Sequence, residues 1–253
     1  MTKKLRISLL LIYCLAIVFL FLPFIKQGLL IYRTQDVTIK TTHESKTVAE
    51  IPLEAVQPPD LADVLAFQKN QTFHSSGQLI IPEVDIGLPV FSGVTNQEIL
   101  VGAGNLFPER APENHNVVLI GHHLGRESLL FGNLLKIKIG DPIYLETTGG
   151  FYEYLVSEAK VIQQTDLQVL DDHGKSEITL ITCDKPTQTD QRFVVKGQLL
   201  KKPGSAMKEK IIHNKQEMMV KKKQKNKVYC IIVVVSFLIC LLVGIKIIIR
   251  ISK

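Results

Sequence analysis

Three side chains with chemical potential stand at the ends of apolar, β-branched runs in this sequence. Cys183 closes the run Ile178–Thr182 and is followed directly by charge and proline, which end a strand. Arg192 opens a second run nine residues later, where it would lie beside Cys183 if the two strands pair. His122 follows a third run, Asn116–Ile120. A thiol, an imidazole and a guanidinium at strand ends supply a nucleophile, a proton donor and a partner for an oxyanion.

Cysteine usage singles out Cys183. The sequence has four cysteines, and Cys14, Cys230 and Cys240 lie within the long apolar runs at the two termini. Cys183 therefore has no partner for a disulfide within the remaining domain, and the spacing fits no zinc site. An inert buried thiol is the structural alternative, since free cysteine is often buried. The strand-end position and the histidine and arginine candidates favour a reactive thiolate instead.

The order of these residues resembles the sortase family, the cysteine transpeptidases of Gram-positive cell surfaces. The resemblance rests on Gly121-His122, on Thr179-Leu180-x-Thr182-Cys183 and on the downstream Arg192, and it covers roughly residues 77–200. The combined order is much more specific than any one of its parts.

This resemblance implies a role for each site residue. Thiolate Cys183 attacks the threonine carbonyl of an LPxTG-like sorting signal, between Thr and Gly, and forms a thioacyl-enzyme. His122 protonates the departing amine, and Arg192 donates to the developing oxyanion. The motif assigns the proton-transfer role to His122 rather than His123, and adjacent residues of an extended chain point in opposite directions. Thr182 is expected to support the oxyanion or the substrate.

The resemblance leaves the acceptor of the acyl group open. A cell-wall precursor amine is expected, because the domain looks like class A and residues 58–61 do not match the lid motif of class C. A pilin lysine is the alternative, since an apolar C-terminal segment is more typical of class C. The expected partners are surface proteins or pilins with the sorting signal, and a lipid bilayer. Two alternative hypotheses come from other functional classes: a thiol protease with water as the acceptor, and a non-catalytic anchored scaffold module.

No cofactor is expected, although some class A sortases bind calcium between two loops. Glu109, Glu113 and Asp171 are weak calcium candidates, because carboxylates in the corresponding loops offer oxygen ligands. Acidic loops are usually only solvated.

The charge distribution points to a membrane rather than to nucleic acid. All 24 acidic residues fall between Gln27 and Val220, where 18 basic residues leave a net charge of −6, so the net +6 of the chain comes from its termini. Nucleic-acid binding requires a basic face on the domain itself and is not expected. Residues 7–25 and 228–249 are apolar runs of membrane-spanning length. The basic residues before the first run predict a cytoplasmic N-terminus and an extracellular domain, hence a two-pass protein of the plasma membrane.

The remaining chain is predicted to be mainly β. Short apolar runs separated by turn residues, including a hairpin around Gly149-Gly150, favour a closed antiparallel sortase-type barrel with short helices. The predicted organisation is a cytoplasmic N-terminus at 1–6, a transmembrane signal-anchor at 7–25, an extracellular stalk with a short helix at 26–76, the catalytic barrel at 77–200, a basic flexible linker at 201–227, a transmembrane helix at 228–249 and a cytoplasmic tail at 250–253.

Overall fold

The computed structural model describes residues 3–42, 56 and 58–251. The chain divides into two compact units, one made of residues 1–35 and 223–253 and the other of residues 36–222. The second unit contains all strands of the described residues, together with the three chemistry-bearing side chains.

Ten strands lie within the described part of the second unit. They are β1 Thr38–Thr41, β2 Thr72–Ser75, β3 Gly77–Ile81, β4 Ile86–Ser92, β5 Ala103–Asn105, β6 Asn116–Ile120, β7 Pro142–Thr147, β8 Gly150–Gln163, β9 Glu177–Cys183 and β10 Gln191–Lys201. Strands β1 and β2 pair with each other, and the other eight close into a barrel in the order β10-β8-β7-β3-β4-β5-β6-β9. The predicted closed barrel is confirmed, and so is the hairpin, which joins β7 to β8.

The barrel is not antiparallel throughout, which differs from the prediction. Strands β4 and β5 pair in parallel, and so do β6 and β9. The whole β7–β8 hairpin lies between β6 and β9 in the chain, so this pairing is non-local. Local sequence patterns report the alternation of a strand and not the direction of a distant partner, and parallel pairs require such long connections.

Alternation along the strands creates two apolar layers. Every second side chain of a strand points into the barrel interior, where Leu119 of β6, Leu180 of β9 and Val195 of β10 are fully buried. The alternate side chains of the same three strands form a second cluster on the outer face, which includes Val118, Ile181 and Val194. Burying an aliphatic side chain contributes about 1.5–3 kcal/mol, so both layers fix the register of these strands.

The short helix predicted before the barrel is present as α2, Leu61–Ala66. Asp60 and Asp63 form a reciprocal capping box, in which each carboxylate accepts from the backbone N–H of the other residue, at 2.8 and 2.7 Å. Val64 is buried. The part of the predicted stalk at residues 43–55 and 57 lies outside the described residues.

By length and composition, two helices are candidates to cross a membrane: α1, Lys3–Thr34, and α3, Ser205–Ile251. The prediction of a flexible linker at residues 201–227 is wrong. Strand β10 continues to Lys201, and α3 begins at Ser205.

The start of α3 packs on the barrel within the second unit. Ile211 joins Ile80, Tyr144 and Phe151 in a buried cluster, and the Nζ of Lys208 lies 2.8 Å from a Glu146 carboxylate oxygen. These contacts explain why a polar, lysine-rich segment is helical there, since tertiary packing of one apolar face stabilises a helix more than propensity does.

Candidate active site

Cys183 is the last residue of β9, and its side chain is 7% exposed. The strand alternates between the two apolar layers, with Leu180 in the barrel interior and Ile181 in the outer cluster. Because side chains two residues apart share a face, Cys183 lies on the outer face with Ile181. The rigid strand therefore holds the backbone of the thiol, and the following loop begins at Asp184.

Arg192 lies directly opposite Cys183 in the antiparallel pair of β9 and β10. Residues opposite one another in such a pair have Cα atoms about 4.5–5.5 Å apart and their side chains on the same face. Val194, two residues further along β10, belongs to the outer cluster, which agrees with this direction. The sequence predicted the neighbourhood of these two residues if their strands paired, and the strands do pair.

His122 reaches the same edge from the other side of β9. In the parallel pair of β6 and β9, Ile120 stands opposite Ile181, so two further residues on each strand lead to His122 and Cys183. The pairing continues beyond β6, because the N–H of Gly121 donates to the carbonyl of Ile181 at 3.1 Å. The imidazole is 3% exposed. The order β10-β9-β6 therefore brings guanidinium, thiol and imidazole to adjacent strand ends.

Burial dominates the electrostatics of the two titratable groups. It lowers the pKa of His122 to about 4, because a buried imidazole resists protonation. It raises the pKa of the Cys183 thiol, against which the Arg192 guanidinium acts to lower it and the Asp184 carboxylate to raise it further. Neutral imidazole and neutral thiol are thus the dominant forms at neutral pH, and a charged imidazolium–thiolate pair is a minority species.

Thr182, which is expected to support the oxyanion or the substrate, makes a hydrogen bond between two strand ends. Its buried hydroxyl donates to the carbonyl of Gly121 at 2.8 Å. The bond ties the residue before the thiol to the residue before the imidazole. This hydroxyl is therefore engaged between the two strand ends, and an oxyanion contact from it would require that bond to break.

Two polar contacts at this edge were not identified from the sequence. The Nδ1 of His123 lies 3.1 Å from the carbonyl oxygen of Cys183. The Nη2 of Arg192 donates to the Oε1 of Gln164 at 2.9 Å. The adjacent-histidine pair could have suggested the first contact. The second depends on the pairing of β8 with β10, and a single glutamine in a polar loop carries no local signal for it.

The calcium candidates do not gather into a site in the described residues, where no group of three or more His, Cys, Asp or Glu side chains could hold a metal ion. Glu109 and Glu113 line a cavity of about 240 Å³ at the barrel end where β6 begins, opposite Cys183. Glu113 accepts from Lys202 at 2.7 Å and from Tyr152 at 2.6 Å, and these bonds lower its pKa to about 2. A carboxylate engaged by an ammonium group is a poor ligand for calcium.

Fold and site together define an enzyme with a cysteine at the edge of a closed barrel. Residues 79–200 match the Sortase domain family. Sortase A of Listeria monocytogenes is 37% identical over 197 residues, covering 75% of this chain and 89% of that protein. Sortase A of Bacillus anthracis is 32% identical over 163 residues, covering 64% and 76%.

A solved structure agrees with the sequence relatives. The crystal structure of Listeria monocytogenes sortase A matches with a TM-score of 0.51 and 41% identity, covering 54% of this chain and 96% of that one. The chain belongs to the sortase family and is an enzyme.

Proposed function

We propose that this protein is a membrane-anchored cysteine transpeptidase that cleaves an LPxTG-like sorting signal between Thr and Gly and transfers the threonyl group to an amine. The observation that carries the proposal is the register of three neighbouring strand ends, with Arg192 opposite Cys183 and His122 level with it on the other side.

The first half-reaction forms a thioester. The Cys183 thiolate attacks the threonine carbonyl carbon, and the carbonyl π electrons move to oxygen. An N–H of Arg192 stabilises that oxyanion, and in enzymes generally such a donor contributes about 2.7–4 kcal/mol to the transition state. When the tetrahedral intermediate collapses, the C–N bond breaks and the His122 imidazolium gives its proton to the departing glycine amine.

The second half-reaction reverses these roles. An incoming amine attacks the thioester carbonyl, and neutral His122 takes the proton that the amine loses. The C–S bond breaks and the thiolate is restored, which returns the imidazolium–thiolate pair. The depressed pKa of His122 supports this part of the proposal, because a neutral imidazole is ready to accept the proton.

The anchored topology is part of the proposal. Lys3, Lys4 and Arg6 would hold the N-terminus in the cytoplasm, so α1 would deliver the barrel to the extracellular side. The apolar run within α3 is the second candidate span. Sorting signals are carried by surface proteins, which meet the enzyme on that side.

An acyl-transfer assay tests the activity. Full-length protein in detergent is given a fluorogenic LPxTG peptide with and without triglycine, and both products are identified by mass spectrometry. We expect a triglycine adduct that depends on Cys183, with Cys183→Ala inactive. Hydrolysis that ignores the amine would indicate a thiol protease, and an unreactive Cys183 would indicate a non-catalytic module.

The acceptor is proposed to be a cell-wall precursor amine. The apolar C-terminal run favours one alternative, a pilin lysine, because it is typical of pilin-polymerising sortases. The same assay separates them when triglycine competes with a lysine-containing pilin peptide at equal concentration. Preferential adducts on the lysine side chain would replace the wall precursor by the pilin.

A further inference from the structure

The Arg192 guanidinium is held in one orientation by three acceptors. Its Nη1 donates to the carbonyls of Thr189 and Gln191, at 2.7 and 3.0 Å, and its Nη2 donates to the Oε1 of Gln164 at 2.9 Å. A guanidinium has five N–H donors in a fixed plane. Within residues 58–251, the Nε–H and one N–H of Nη2 are therefore left for a substrate oxygen.

Gln164 is itself fixed at two points by Asp190. The backbone N–H of Gln164 donates to the Asp190 carbonyl at 2.7 Å, and its side-chain Nε2 donates to the Asp190 Oδ1 at 3.1 Å. A carboxylate only accepts hydrogen bonds, so the amide NH₂ must face Asp190. The amide oxygen is then turned towards the guanidinium, and the orientation of Gln164 follows from its network.

The two backbone carbonyls and the Gln164 side-chain amide hold the guanidinium from different parts of the chain. Thr189 lies in the connection just before β10, and Gln191 is the neighbour of Arg192 at the start of that strand, so both carbonyls come from the chain next to Arg192. Gln164 follows the end of β8, the barrel neighbour of β10 on the side away from Cys183. Its contact therefore holds the guanidinium from a second strand, in addition to the carbonyls next to Arg192 in the chain.

We infer that Gln164 is a positioning residue for Arg192, and that the chain Asp190–Gln164–Arg192 aims the guanidinium at the oxyanion formed beside Cys183. The inference rests on the proposed function, because it assigns Gln164 a task within that reaction. Gln164 does not touch the substrate. It acts by keeping the two unoccupied N–H groups of Arg192 directed at the reacting carbonyl.

The inference predicts a loss in kcat without a matching change in KM. The oxyanion exists only in the transition state, so a misdirected donor leaves substrate binding unchanged. For full-length Gln164→Leu, we expect kcat for acyl transfer to triglycine to fall about tenfold and KM to stay within about twofold, the scale of one hydrogen bond to a charged group. Gln163→Leu is the matched control, because it removes the same side chain one residue earlier, and it should match the wild type.

A double-mutant cycle separates positioning from a general structural effect. Arg192→Ala should lower kcat by about 10²–10³, as loss of an oxyanion donor does. Adding Gln164→Leu to it should cost nothing further, because the residue then has nothing to position. The exchanged pair Gln164→Glu with Asp190→Asn keeps an acceptor for Arg192 and a donor–acceptor contact between positions 164 and 190, and should recover most of the lost kcat.

Several outcomes would overturn the inference. A kcat for Gln164→Leu equal to that of Gln163→Leu would remove the role, and so would a tenfold loss that persists unchanged in the Arg192→Ala background. Failure of the exchanged pair to improve on Gln164→Leu would also contradict it. Full activity of Arg192→Ala would instead refute the arginine's part in the proposed function, a result that does not depend on Gln164.

Discussion

Replacing Asp184 by asparagine removes one negative charge beside the Cys183 thiol and leaves the local contacts in place. The Asp184 Oδ1 accepts from the Thr189 hydroxyl at 2.8 Å, and the asparagine Oδ1 can accept the same bond. Burial raises the pKa of Cys183, and the Asp184 charge raises it further. Because a neighbouring anion disfavours the thiolate, its removal must lower the pKa of Cys183.

The size of this effect follows from Coulomb's law. In general, two unit charges about 8 Å apart interact by about 0.5–2 kcal/mol when the effective dielectric constant lies between about 80 and 20. Asp184 influences the thiol less than Arg192 does, so the lower end applies. We therefore expect the pKa of Cys183 to fall and the thiolate fraction at neutral pH to rise about twofold.

Alkylation by iodoacetamide measures this titration directly, because only the thiolate reacts. Rates are followed as a function of pH on the full-length protein, by mass spectrometry of the peptide that contains Cys183. The midpoint of Asp184→Asn should lie below that of the wild type. Arg192→Gln should shift the midpoint in the opposite direction, upward, because losing a cation destabilises the thiolate. A midpoint that rises in Asp184→Asn, or falls in Arg192→Gln, would refute this account of the thiol.

Three further changes probe the surroundings of the site. His123→Ala should keep turnover within about tenfold of the wild type, since it loses one hydrogen bond, whereas His122→Ala should abolish it; equal losses in steady-state assays would contradict the assignment. Thr182→Val leaves the buried Gly121 carbonyl without its donor, and thermal unfolding should show about 1–3 kcal/mol of destabilisation; an unchanged unfolding temperature would argue against the bond. Ile211→Ala should destabilise the barrel unit by about 2 kcal/mol through lost packing, and no effect would mean that the start of α3 does not stabilise the barrel.

The parts of the fold that the sequence predicted are those decided by local contacts. The hairpin at Gly149-Gly150 and the neighbourhood of Cys183 and Arg192 each involve strands joined by a short connection. Turn residues and alternation are sufficient to predict such pairs. Their success reflects short separation along the chain, where few alternative pairings compete.

Features decided by distant contacts were missed. The parallel pairing of β6 with β9 aligns His122 with Cys183, yet nothing in either strand specifies the direction of the other. The helical start of α3 was predicted as a flexible linker because its lysines dominate the composition. Ile211 and Met218 are both buried and are seven residues apart, a helical spacing that contained the missing signal.

The register of β9 is what connects the fold to the chemistry. Successive residues of a strand face opposite sides, so a slip of one position would exchange the two faces. It would bring Leu180 out of the barrel interior and Ile181 into it, and it would carry Cys183 away from the face shared with Arg192. The buried alternation therefore opposes every slipped arrangement. The apolar residues that make no contact with a substrate thus decide on which side of the barrel wall the thiol lies.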